Sequence, residues 1–163
     1  MTWSPHAFMD HTADVHESAP IWHFACILAD VKIEADVSIG AKAEIGRGSW
    51  IGAGARIGSG AFLPPNSCIG ERVFIGPNVT FTDDPTPRVP REGDPPYTPL
   101  PPVVDPEANI GAGAVICPGV RIGARACIAA GAIVTRDVPA DGFVRCEPAR
   151  ERDRGPLAEA WNG

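Results

Sequence analysis

From Ile21 onward an aliphatic residue, with one aromatic substitute, falls on every sixth position: Ile21, Ile27, Ile33, Ile39, Ile45, Ile51, Ile57, Leu63, Ile69, Ile75 and Phe81. After one interruption the phase resumes as Val104, Ile110, Ile116, Ile122, Ile128 and Val134. Gly often follows the aliphatic residue directly, as at Gly40, Gly46, Gly52 and Gly58. A small or β-branched residue stands four places after it, as at Ala43, Ser49, Ala55, Ala61, Val73 and Val79. Neither a helix nor an ordinary strand repeats every six residues. Short strands joined by corners and wound into a coil do.

In such a coil, alternation along each strand sends the aliphatic residue and the small residue two places before it inward, and the residue between them outward. Gly and small polar residues are expected at the corners, where positive φ is tolerated without a Cβ clash. Three hexads close one triangular turn, so residues about eighteen apart stack on the same face. This predicts an all-β parallel β-helix of about six coils between Val15 and Val134. Lys32, Trp50 and Cys68 then share one outer face, while Phe62 and Phe74 point outward on the others. Outward aromatics leave apolar patches that self-association about a threefold axis would cover, so a homotrimer is expected.

Composition narrows the function classes. The chain has 163 residues and a net charge of −6, which argues against a general nucleic-acid or anionic-membrane binder. It shows no signal-peptide pattern and no long apolar stretch, so a cytoplasmic location is expected. Five Cys, an odd number without a CxxC pair, fit reduced thiols better than a disulfide framework.

The interruption is the clue to a site. Residues 82–103 hold eight prolines and lose the phase. Proline cannot donate to the ladder, so this segment must leave the coil as a loop. Long loops inside compact domains are usually functional. An ordered arm reaching a neighbouring subunit is expected. Residues 1–14 are read as a capping segment, 15–150 as the β-helix, and 151–163 as a tail with one short helix around Leu157–Trp161.

Several segments carry a family resemblance. They are Ile21-Trp22-His23-Phe24, the run from Val73 through Gly76-Pro77-Asn78-Val79-Thr80-Phe81-Thr82-Asp83-Asp84, Pro87-Arg88, and Ile110 to Val120. Together they are similar to the left-handed β-helix N-acetyltransferases that acylate an amino group on a nucleotide-linked sugar, with acetyl-CoA as acyl donor and no metal. The resemblance spans Val15 to about Arg150. It implies a left-handed coil and a site around the loop, with Asp83 and His23 as catalytic candidates. It further implies substrate contacts from Trp22, Asn78, Asp84 and Arg88. Asp83 stands where the family usually has Asn, Asp105 where a basic residue is common, and Cys146-Glu147-Pro148-Ala149-Arg150 where the family ends Gly-Asn-Pro-Ala-Arg.

Acyl transfer to an amine needs a proton acceptor, a polarised thioester carbonyl and alignment of the two. The only histidines are His6, His11, His16 and His23, so a His base in a late coil is excluded. The resemblance puts Asp83 at the position that meets the amine, and implies that it orients the amine and takes its proton. Corner N–H groups at Gly111, Gly113 and Gly131 are candidate oxyanion donors. Arg121, Arg136 and Arg150 are candidates for the CoA end, with Arg88 in the loop. The five-residue spacing of His6, His11 and His16 matches no metal motif. Two other readings stay open: a non-catalytic trimeric scaffold of the same fold, and a γ-class carbonic anhydrase. The latter needs His ligands in mid-to-late coils, which this chain lacks.

Overall fold

A computed structural model describes residues 3–146. Two-residue strands follow one another at hexad spacing and stack in parallel into three faces. A seven-stranded face runs from Phe8–Met9 to Ile133–Val134. A second, six-stranded face runs from Asp14–Val15 to Arg121–Ile122, and a third from Ser38–Ile39 to Phe143–Val144. This is the parallel β-helix expected from the period, consistent with the left-handed coil that the resemblance implies. Its core is the hexad column itself. The aliphatics from Ile21 to Val134, and the small residues two places before them, are all buried. The outer columns also follow the expected register, with Lys32 opposite Trp50 and Trp50 opposite Cys68.

Winding begins earlier than expected. Phe8–Met9 pairs with Cys26–Ile27, Asp14–Val15 pairs with Lys32–Ile33, and Trp3 bridges Ile21. The segment read as a cap, residues 1–14, is thus a winding from Trp3 on, and the longest face has seven levels rather than six. Trp3, Met9 and Val15 hold the hexad phase, but they fill the inward slots less completely than Ile does and remain partly buried. At the other end the step after Val134 shortens. Val138 bridges Ile122, and Phe143–Val144 closes on Cys127–Ile128. The expected helix around Leu157–Trp161 lies outside the described residues.

The corners correct the role assigned to glycine. The glycines that follow the aliphatic residue are not in the left-handed region. They allow close approach: a Cβ on Gly46 would lie 2.4 Å from the backbone of Pro64 and Pro65 in the next winding. Positive φ belongs to a later corner position. Glycine fills it at some levels, such as Gly48 and Gly113, while ten non-glycine residues fill it elsewhere, Asn78 (φ 55°) and Phe24 (φ 60°) among them.

Candidate active site at the extruded loop

The chain leaves the prism at the edge between the seven-stranded face and the second face. Thr80–Phe81 keeps its place, pairing with Val115–Ile116 above, and Thr82 N still donates to Ile116 O at 2.9 Å. The chain then departs and returns at Val103–Val104, which pairs with Cys68–Ile69. Two main-chain bonds close the neck of the loop. Leu100 N donates to Asp83 O, and Gly119 N donates to Leu100 O, both at 2.7 Å. The windings continue undisturbed on either side, as a corner insertion requires.

Inside the loop, side chains supply the order that the prolines cannot provide through ladder bonds. Asp84 Oδ1 accepts the Thr86 N–H at 2.8 Å, an Asx turn. Asp94 Oδ2 accepts the Arg91 N–H at 2.8 Å and lies 3.4 Å from Arg88 Nε. Arg88 Nη1 also reaches Thr86 Oγ1 at 3.1 Å. These residues enclose a cleft of about 790 Å³ lined by Asp84, Thr86, Arg88, Asp94, Tyr97 and several prolines. Burial and the nearby carboxylates of Asp83 and Asp84 push the Tyr97 phenol up to about 12. Neither Asp83 nor Asp84 has an ion-pair partner among the described residues, since Arg88 is turned to Asp94.

The structure gathers some of the sequence-derived candidates and separates others. Asp83, Asp84 and Arg88 share the loop. Arg136 lies on the same edge, beyond Gly119, beside a second cleft of about 390 Å³ that it lines with Ile133 and Phe143. Trp22 and His23 occupy the opposite edge of the seven-stranded face. They lie three windings earlier than Asp83, which is roughly 14 Å along the axis. There the His23 ring sits 5.9 Å from His6, with Phe24 stacked on His6 at 5.7 Å. Asn78 takes a left-handed corner position on that same edge. Within one protomer, then, His23 and Asp83 do not meet.

Two groups of candidates are already engaged. Gly111 N donates to Ile128 O, Gly113 N to Pro77 O and Gly131 N to Ala112 O, at 2.8 to 2.9 Å. Those N–H groups hold neighbouring windings together and are not free as oxyanion donors. The Arg121 fork is closed on Asp105, with Nε–Oδ2 at 2.9 Å and Nη2–Oδ1 at 2.5 Å. Arg150 lies outside the described residues. The sequence reading missed Tyr97 and Asp94. The available signal for Tyr97 was that the chain's single tyrosine falls inside the proline-rich break.

The bacterial transferase hexapeptide (six repeats) family matches residues 48–83 and 101–136, and the hexapeptide repeat of succinyl-transferase matches residues 30–64. A 2,3,4,5-tetrahydropyridine-2,6-dicarboxylate N-acetyltransferase of Staphylococcus aureus is 52% identical over 50 residues, or 31% of this chain. That match spans 21% of the relative's length. Among solved structures, the polySia-specific acetyltransferase NeuO superposes with a TM-score of 0.50 at 19% identity. The match covers 87% of this chain and 64% of NeuO. GDP-perosamine N-acetyltransferase of Caulobacter crescentus, solved with CoA and GDP-perosamine, gives a TM-score of 0.47 at 25% identity, over 83% and 50% of the two chains. With more than half of its length matched by hexapeptide-repeat models and the period built into three parallel faces, the chain belongs to the hexapeptide-repeat transferase family.

Proposed function

We propose that this protein is an acyl-CoA-dependent N-acyltransferase, most simply an N-acetyltransferase, acting on the amine of a nucleotide-linked amino sugar or a similar small amine. The observation that carries the reading is the loop neck: the Leu100 N–H on Asp83 O holds Asp83 next to Asp84 of the cleft wall, and among the described residues no basic side chain pairs with the Asp83 carboxylate. Family membership and a relative named as an N-acetyltransferase support the transfer of an acyl group to nitrogen. The nucleotide-sugar acceptor rests on the motif resemblance around Trp22-His23 and Asn78–Asp84.

Asp83 attracts the acceptor as an ammonium and takes its proton, leaving the amine lone pair free to attack the thioester carbonyl carbon. As the C–N bond forms the C–S bond breaks; the nitrogen gives its second proton to the departing thiolate, and Asp83 releases the first to solvent. Asp84 adds negative charge beside the ammonium. Arg88 lines the cleft and suits an anionic part of the acceptor, and Arg136 is open to the phosphates of the acyl donor. In the homotrimer expected from the outward aromatics, a neighbour's edge would supply the Trp22-His23 and Asn78 contacts that one protomer keeps apart.

Asp83→Ala should lower kcat by roughly 10²-fold or more, with the fold and assembly retained. Free-thiol release from acetyl-CoA across a panel of amine-bearing sugar nucleotides measures it, and unchanged turnover refutes the assignment. The Arg121–Asp105 pair favours a second reading, a non-catalytic scaffold that no longer holds CoA. A thermal shift with acetyl-CoA separates the two, because a scaffold shows none.

A further inference from the structure

One residue ties the proline-rich loop to the prism between its departure and its return. Among the described residues, Leu100 makes the only main-chain hydrogen bonds that join the two limbs or fasten residues 83–102 to a winding. Its N–H donates to Asp83 O and its carbonyl accepts the Gly119 N–H, both at 2.7 Å. In Pro99-Leu100-Pro101-Pro102 that N–H is the only one available, because proline has none. Burial follows the same division. Asp83, Asp84, Pro99 and Pro101 are half-buried and Pro102 is buried, while residues 85–98 are exposed.

The corner that receives Leu100 leaves room for it. Gly119 has φ +71°, but Asp30 and Asn66 fill the same slot in earlier windings, so the backbone alone does not require glycine. A Cβ on Gly119 would lie 3.5 Å from Leu100 Cβ and 3.8 Å from its Cδ1. That is ordinary contact, and a longer side chain in that direction would run into Leu100. We propose that Leu100 is the positioning residue for Asp83: it pins the Asp83 main chain to the Gly119 corner, so that the carboxylate hangs from a fixed point of the prism. This rests on the role given to Asp83 above and adds what holds it in place. A base that must meet an ammonium loses efficiency when its stem wanders, because the reacting groups then spend little time in line. The flanking prolines lock φ on either side of Leu100 and stiffen the limb that carries the pin.

Hydrogen exchange of the intact protein reports the pin without substrate. The Leu100 amide should exchange at least about tenfold more slowly than an unstructured Pro-Leu amide. Exchange at the unstructured rate overturns the proposal. Gly119→Asn, a residue type that Asn66 shows the slot accepts, should return that amide to the free rate. Gly54→Asn is the control, with φ +70° and only the Arg72 side chain near its Cβ, and should leave the amide protected.

The kinetic arm uses Leu100→Pro, which removes the donor to Asp83. It should lower kcat roughly tenfold, with Tm and KM for acetyl-CoA unchanged, as loss of one positioning hydrogen bond implies. Gly119→Asn should do the same from the other side of the pin, and Gly54→Asn should not. Leu100→Ala, the conservative change that keeps both main-chain groups, should recover most of the loss. An alanine as damaging as the proline would put the effect in the side chain and sink the idea. In an Asp83→Asn background Leu100→Pro should cost nothing further, and a full tenfold loss there would show that Leu100 acts apart from Asp83. If Asp83→Ala leaves turnover intact, the reading of the reaction fails and the positioning role falls with it. The exchange arm still tells independently whether Leu100 is pinned.

Discussion

An alanine methyl at Gly46 would sit 2.4 Å from the main chain of Pro64 and Pro65, whereas one at Gly113 would meet nothing within 4 Å. The two glycines answer different constraints. Gly46 lets one winding rest on the next, and Gly113 supplies a φ of +67°. Gly46→Ala forces backbone to move and should cost roughly 3 kcal/mol or more, at the upper end of overpacking effects. Gly113→Ala carries only the left-handed penalty, about 1 kcal/mol. Urea unfolding of the two variants checks the order, and a smaller loss at Gly46 contradicts the account. The inward column is equally specific. Ile45 is fully buried, and Ile45→Ala should cost about 2–5 kcal/mol by the same measurement. All three residue types were legible in the sequence as a pattern; which glycine did which job was not, because close approach involves a residue eighteen places away.

At the scale of the corner, Arg72, Glu107, Arg125 and Asp141 fill the same left-handed position in successive windings and alternate in charge. Arg72 Nη2 lies 2.5 Å from Glu107 Oε1, and Arg125 Nε lies 2.7 Å from Asp141 Oδ1. Arg72, then Arg125, holds the Glu107 carboxyl below its ordinary 4.5, and Arg125 holds Asp141 below 3.8. Folded values below the unfolded ones mean stability that is present above those ordinary values and lost as pH falls through the folded ones. All four side chains are exposed, so the effect is small. A Glu107→Gln, Asp141→Asn variant should have a slightly lower Tm at neutral pH. Its curve and that of the wild type should converge as both are acidified below about pH 4. Parallel curves would remove the ladder from the account of stability. The loop is the other element whose role can be isolated. Replacing residues 84–99 by a short corner like Pro64–Ser67, from the same edge, should preserve the circular dichroism of the coil and abolish turnover. The neighbouring strands are paired without the loop's help.

For the whole molecule, the outward residues decide how copies meet. Phe62 and Phe74 are 37% and 43% exposed on two different faces, and Ile133 is 69% exposed on the same face as Phe62. A homotrimer would cover them. Sedimentation equilibrium of the wild type should give a trimer mass at micromolar concentration, and Phe62→Glu or Phe74→Glu should shift it toward the monomer. A monomeric wild type would remove both the trimer and the proposal that a neighbour brings Trp22 and His23 to the loop.

The sequence by itself determined the prism, its core and the place of its break. A six-residue period leaves one way to bury every sixth side chain, and a run of prolines cannot stay in a hydrogen-bonded ladder. Stacking was legible too wherever windings are unbroken, as for Lys32, Trp50 and Cys68. Across the loop the same step becomes 35 residues from Arg72 to Glu107, which no fixed spacing reveals. The early start was written in Trp3, Met9 and Val15 but obscured by their chemistry. Only the tertiary structure decided that the Leu100 N–H closes the loop neck on Asp83, that Asp105 closes on Arg121 and that the Gly111 N–H is spent on Ile128. Each of these depends on which corner lies above which. That relation is set by the closing of each turn and by where the loop returns, not by the order of residues along the chain.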